Sequence, residues 1–235
     1  MHCLLGVKVI NLENNGEEQM AELNLLETYP KAKRNLNERA ATAPEDRAIA
    51  KQFGKEYFDG TRNQGYGGYK YDGRWRPVVK RMQQAYGLTS ESRVLDVGSG
   101  KGFMLHDFML EIPGITVAGI EISPYGVEQT MDDVKPFVQI GNAINLPFAD
   151  KSFDLVTAIN VVHNLKGDEL KQSLREMERV SRKHKFLVVD AYCNDEEYQK
   201  LMKWNLTAET ILHASEWEAL FKEVGYTGDY FWFAP

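Results

Sequence analysis

The chain has only two cysteines in 235 residues, Cys3 and Cys193, far apart in sequence. That scarcity excludes a disulfide framework and a thiolate metal cluster. Two idle thiols in a reducing compartment are expected, and no metal. No stretch approaches the roughly 20 apolar residues that a membrane helix needs. The opening MHCLLGVKVI is broken by Lys8 and has nothing basic before it, so a secretory signal is not expected. A cytoplasmic protein with no membrane partner is the expectation. Basic charge is also in short supply, with 28 Lys and Arg against 34 Asp and Glu and a formal net charge of −6. A field of that sign opposes phosphate backbones, so no nucleic-acid partner is expected. Internal repeats and low-complexity tracts are absent as well.

What is present is an ordinary globular composition, 43% apolar and 26% charged. The length suits one domain with an elaboration, or one large and one small domain. Residues 1–92 are polar and punctuated by NNG, YP and TAP, and are expected to form an N-terminal helical elaboration. Pro44 at a first helical position, Glu45 and Asp46 at the positive end of the dipole, and Gly60 as a stop predict one helix over 44–59. Further helices are expected at 16–27 and 76–88. Between them lies QGYGGYKYDGRW (64–75), dense in tyrosine and glycine. From Arg93 onward, apolar strands alternate with helices: RVLDV, ITVAGIEIS, FVQIGNA, FDLVTAIN and KFLVVDAY are the strands. Ser123 and Ser215 are the expected helix caps. Such alternation predicts an α/β fold, an open and mostly parallel sheet with helices on both faces. The division expected is 1–92 for the elaboration and 93–235 for the sheet domain.

In sheets of this kind, ligands bind beyond the carboxyl ends of the strands. The first strand runs into VLDVGSGKGF, with glycines at 98, 100 and 102. They serve either a tight turn that merely needs glycine or a backbone surface that a nucleoside approaches closely. A nicotinamide fingerprint would place its last glycine at 103, where this chain has Phe103. The spacing Gly98, Gly100, Gly102, preceded by Asp96, resembles class I S-adenosylmethionine-dependent methyltransferases. Glu121, ending the second strand, has a carboxylate that can accept from both ribose hydroxyls. The stretch GNAINLPFADKSFDLVTAINVVHNL is similar to that of the ubiquinone/menaquinone-biosynthesis type of small-molecule methyltransferase. The resemblance runs from about Val94 to Gly225. It implies a Rossmann-like methyltransferase sheet, S-adenosyl-L-methionine as cofactor and a small-molecule acceptor. It also implies that Asn142, where the family usually has Asp, meets the adenine amino group, and that Ala143 offers its backbone N–H to the ring. Ser99, Ile122 and Asn160 complete the cofactor-binding set so implied. One departure stands out: the family follows its closing helix with two antiparallel strands, and YTGDYFWFAP has room for one.

For the chemistry itself, His163 just past the fourth strand is the candidate general base, with Tyr192 past the fifth as a second. His106 and His184 are expected to be structural, and His213 stays open. Tyr66, Tyr69 and Tyr71 are expected to form a lid over the methionine end of the cofactor, because tyrosine faces attract the sulfonium cation. Arg74 is expected to meet the cofactor carboxylate, and Arg62, Arg74 and Arg76 together hint at an anionic group nearby. Methyl transfer to an O or N atom of a small-molecule acceptor is therefore expected, with anionic metabolites among the acceptors considered. The alternatives are a non-catalytic S-adenosylmethionine-binding protein, a nucleic-acid methyltransferase, or an NAD-dependent oxidoreductase.

Overall fold

The computed structural model describes residues 20–31 and 34–235. Four short helices precede the sheet: α1 (Leu36–Ala40), α2 (Pro44–Ala50), α3 (Lys55–Asp59) and α4 (Arg76–Tyr86). The single helix expected over 44–59 is thus two. Lys51 closes α2, Phe53 turns left-handed at φ 50°, and Gly54 runs extended into α3. The helix expected at 16–27 is absent over its described part. There the chain runs beside the sheet at residues 21–23 and then turns.

From Arg93 the strands and helices follow the alternation read from sequence. They are β1 (Arg93–Val97), α5 (Phe103–Glu111), β2 (Thr116–Glu121), α6 (Pro124–Glu128), β3 (Val138–Ile140), β4 (Phe153–Ile159), α7 (Gly167–Val180) and β5 (Ser181–Tyr192). Then come α8 (Asp195–Trp204), β6 (Leu212–His213), α9 (Ala214–Val224) and β7 (Asp229–Phe233). Ser123 caps α6 as expected, its hydroxyl accepting from the Gly126 N–H. The cap of α9 is His213, not Ser215: its ring accepts from the backbone and Glu216 answers on the His213 N–H. Asn194 caps α8, a helix that the sequence pattern did not predict.

Sheet order is β3-β2-β1-β4-β5, with β7 and the two-residue β6 both pairing with β5. All of these pairings are parallel. The one strand after α9 therefore runs parallel to β5, and its Tyr230 exchanges backbone hydrogen bonds with Ala21 and Leu23 on its other edge. Alternate strand residues bury opposite faces, as period-2 geometry demands. On one face Leu95, Val156 and Leu187 pack with Leu174 and Met177 of α7 and Trp217 and Phe221 of α9. On the other, Val94, Leu155 and Phe186 pack with Val79 and Met82 of α4 and Phe108 of α5. Two cores sandwich one sheet, and the carboxyl ends of β1, β2 and β4 meet at one rim. Cys193 is not a free thiol, which corrects that expectation, and Cys3 lies outside the described residues.

Candidate active site

The rim begins with the glycines. Gly98, Gly100 and Gly102 all take positive φ, 78°, 57° and 74°. A Cβ on Gly98 would sit 2.3 Å from Val161 Cγ2, and one on Gly102 would sit 2.8 Å from Val134 Cγ2. Both positions thus need glycine for backbone angle and for space. The turn is pinned by its own amides: Gly98 and Ser99 N–H donate to the Ile120 carbonyl at 2.7 and 3.1 Å. Gly100 N–H donates to Glu121 Oε2 at 2.7 Å, and Ser123 N–H to Glu121 Oε1 at 2.9 Å. Burial raises the Glu121 carboxyl above its ordinary pKa, against the opposing pull of these amides. The Ile122 amide pulls on it as well, and a carboxylate has about four acceptor sites, so it keeps capacity for a further donor.

Asp96 lies beneath the turn and is not among the cavity's lining residues. It is buried and accepts from Thr157 Oγ1 at 2.9 Å. Burial pushes it up to about 7; the Thr157 hydroxyl opposes and the Glu121 charge adds. Ser99 is buried too, its Oγ without a partner. Gly102 acts from below as the N-cap of α5.

Facing the glycines is a wall of rings. Tyr57 stands 5.1 Å from Phe53 and 5.1 Å from Tyr66; Tyr66 stacks on Tyr69 at 4.3 Å, and Tyr69 on Phe103 at 4.6 Å. The glycine-rich segment folds back on α3 through Tyr66 N–H to Tyr57 O and Tyr69 N–H to Phe58 O, at 2.8 and 2.9 Å. One cation latches this segment to the glycine turn. Lys101 Nζ reaches Asp59 Oδ1 and Oδ2 at 2.8 and 2.6 Å and the Tyr69 carbonyl at 3.0 Å. Tyr125 Oη donates to Asp59 Oδ2 at 2.7 Å. Partial burial works against the Asp59 charge, but the Lys101 and Tyr125 bonds outweigh it and hold Asp59 below the usual carboxylate range.

A cavity of about 310 Å³ separates the two walls. Gly98, Gly100, Glu121, Ile122, Asn142, Ala143 and Asn160 line it, and so does Tyr66. Tyr69 sits behind Tyr66, 3.4 Å from where a Gly100 Cβ would be. Asn142 Oδ1 already accepts from the Ile144 N–H at 3.2 Å, so it is held in its turn. Asn160 is strained into the left-handed region at φ 57°. The sequence did not flag Phe53, Tyr57, Phe58, Asn164 or Glu169, which also line the cavity. The i, i+4 spacing of Phe53 and Tyr57 was visible, but it reads equally as the buried face of a helix.

Comparison with known proteins shows what the domain around this cavity is similar to. Residues 95–189 match the family model described as a methyltransferase domain. The chain carries a class I S-adenosylmethionine-dependent methyltransferase domain. It is similar to the uncharacterized methyltransferase YcgJ of Bacillus subtilis, 30% identical over 56% of this chain and 56% of that protein. The demethylmenaquinone methyltransferase of Chlorobaculum parvum is 36% identical over 46% of this chain and 45% of its own length. The chain thus spans about half the length of these curated relatives. The crystal structure of the YcgJ protein superposes with a TM-score of 0.50 at 25% identity, covering 62% of this chain and 66% of that one. The residues around the cavity fit the cofactor: a buried carboxylate with spare acceptor capacity and a glycine turn bare of side chains from the matched domain, and a ring wall suited to a sulfonium from the segment before it.

The structure does not bring every expected residue to this cavity. His163 lies buried off the cavity, its Nδ1 accepting from the Asp190 N–H at 2.9 Å. Its carbonyl accepts from Glu209 and Thr210 N–H at 3.0 and 2.9 Å, which ties the end of β4 to the segment after α8. Asp190 Oδ1 stands 3.5 Å from the same ring nitrogen, and burial raises that carboxyl. Tyr192 packs against Tyr198 and His213, away from the cavity. Arg74 is spent on Asp72, at 2.8 and 2.6 Å, and Arg76 on Glu111 at 2.6 Å. Tyr71 donates to Asp107 at 2.6 Å and covers His106 rather than the cavity. Among the described residues no helix is long and apolar enough to cross a membrane.

Proposed function

We propose that the chain transfers a methyl group from S-adenosylmethionine to an O or N atom of a small-molecule acceptor. The observation that carries this is Glu121, a buried carboxylate fixed by two amides at the mouth of the glycine turn, facing an aromatic wall. In this reading Glu121 takes the ribose hydroxyls, Gly98 and Gly100 let the nucleoside approach, and Asn142 with Ala143 flanks the adenine. Tyr57 and Tyr66 face the cationic end and keep water from it. The cofactor supplies an electrophilic methyl group for in-line displacement. The chain supplies position, and the segment before residue 93 acts as the lid and acceptor side. An amine acceptor needs no base. For a hydroxyl acceptor, Glu169 at the start of α7 is the lining carboxylate left to take the proton. An oxidoreductase is disfavoured by Phe103, whose ring supports Tyr69 where a dinucleotide fold needs its third glycine.

Calorimetry tests the cofactor and radiolabel transfer tests the reaction. Binding of S-adenosylhomocysteine without binding of NAD is expected, followed by label transfer from S-adenosylmethionine into a component of a metabolite extract. No heat with S-adenosylhomocysteine would sink the proposal.

A further inference from the structure

On a chain of net charge −6, cations gathered with no ion-paired carboxylate among the described residues need a cause. The guanidinium carbons of Arg34, Arg39 and Arg62 lie 5.6, 5.1 and 5.6 Å from the centre of the Trp204 ring. Arg34 also stands 4.7 Å from the centre of Phe233. Arg39 belongs to α1, Arg62 lies just before the glycine-rich segment, and Trp204 ends α8, so distant parts of the chain converge on one indole. No ion pair among the described residues includes any of the three arginines. Their hydrogen bonds go to carbonyls: Arg39 to Asn63 O at 3.5 Å, Arg62 to Gly65 O at 3.3 Å and Tyr66 O at 3.1 Å. Arg39 is buried, and its proton affinity is lowered first by burial and then by Arg62 and Arg47. Ring attraction offsets such crowding only in part, and a bound anion removes it.

The cluster adjoins the cavity. Arg62 holds the carbonyl of Tyr66, and the Tyr57 phenol contacts both Tyr66 and Thr207 and feels the Arg39 charge. Tyr57 and Tyr66 both line the cavity. We propose that Arg34, Arg39 and Arg62, arranged about Trp204, hold an anionic group of the methyl acceptor, a carboxylate or a phosphate. The guanidinium fork matches both groups, and Arg34 and Arg62 are exposed arms able to reach the ligand from solvent. The word acceptor rests on the methyltransferase reading; the anion does not.

Inorganic phosphate and succinate, each titrated into the full chain with and without saturating S-adenosylhomocysteine, separate these claims. Wild type is expected to bind at least one probe, and the tighter probe names the anion. Arg34→Gln, whose ring partners do not line the cavity, is expected to weaken that probe by about tenfold while S-adenosylhomocysteine binds as before. The tryptophan fluorescence change on anion binding is expected to vanish in Trp204→Phe. Binding of neither probe, or equal binding by wild type and Arg34→Gln, overturns the proposal. A parallel loss of S-adenosylhomocysteine affinity in Arg34→Gln overturns it in favour of the cofactor's own carboxylate. If wild type binds an anion but no S-adenosylhomocysteine, the anion site stands and the methyltransferase reading falls.

Discussion

The cavity's two walls are built by opposite means. On the glycine side the backbone itself is the surface: three positive φ angles and amides aimed at Ile120 and Glu121 leave the chain no other course. On the aromatic side the surface is rings, held by stacking and by one lysine that reaches Asp59 and Tyr69. The first wall is rigid because a left-handed turn under a buried strand end has no alternative packing. The second closes by contacts that can be exchanged for water. In the proposed function a pocket that must admit and then seal a ligand would use both, one wall as template and the other as door.

That contrast can be broken at its firm end first. Gly98→Ala drives a Cβ into Val161 at a positive φ, so a loss of about 4 kcal/mol in chemical denaturation is expected. An intact melting curve would show that the turn yields. Beneath it, Asp96 titrates near 7 in the folded chain against an ordinary 3.8. A raised carboxyl pKa means that the folded state holds the proton longer, so stability falls as pH rises from about 4 to about 7 and then levels. Asp96→Asn is expected to flatten that slope, worth about 4 kcal/mol at pH 8, and an unchanged pH profile would refute it. Glu121→Ala removes the acceptor for Gly100 and for the ribose. S-adenosylhomocysteine affinity should drop roughly thirtyfold by calorimetry, about 2 kcal/mol.

The looser wall should respond more gently. Lys101→Met cuts the latch while Asp59 keeps Tyr125 and the Tyr69 N–H. Affinity for S-adenosylhomocysteine is expected to fall about tenfold, with faster protease cutting within residues 61–70. Equal cutting in both proteins would mean that the latch is not what closes the door. Smallest of all, Tyr66→Ala should weaken cofactor binding about threefold, and Tyr66→Phe should restore it, since the ring face matters and the hydroxyl does not.

The sequence exposed the template better than the door, for a physical reason. Glycine at 98, 100 and 102 and a carboxylate at 121 are local requirements, set by neighbours one strand away, and spacing alone displays them. The five-strand parallel core was legible on the same ground. Phe53 illustrates the opposite case. Its place in the cavity follows from a left-handed turn between α2 and α3, and the propensities over 44–59 read through that break. His163 had the right position past β4 for a base, but burial and an amide from Asp190 turn its ring to tethering. The gathering of arginines about Trp204 was invisible because positions 34, 39, 62 and 204 meet only through tertiary packing. The hint of anion binding did include Arg62, but it grouped that residue with Arg74 and Arg76, which Asp72 and Glu111 occupy.

At the far edge of the sheet, the hydrogen bonds between Tyr230 and residues 21 and 23 set a timetable. A ribosome makes residues 21–23 long before it makes β7, so that early segment has no strand to lie against until residues 229–233 have emerged. The glycine turn, β1, β2 and β4 can assemble meanwhile from contacts nearer in sequence. Closing the edge therefore waits on the synthesis of β7, and a chain interrupted before it would leave β5 with an open flank.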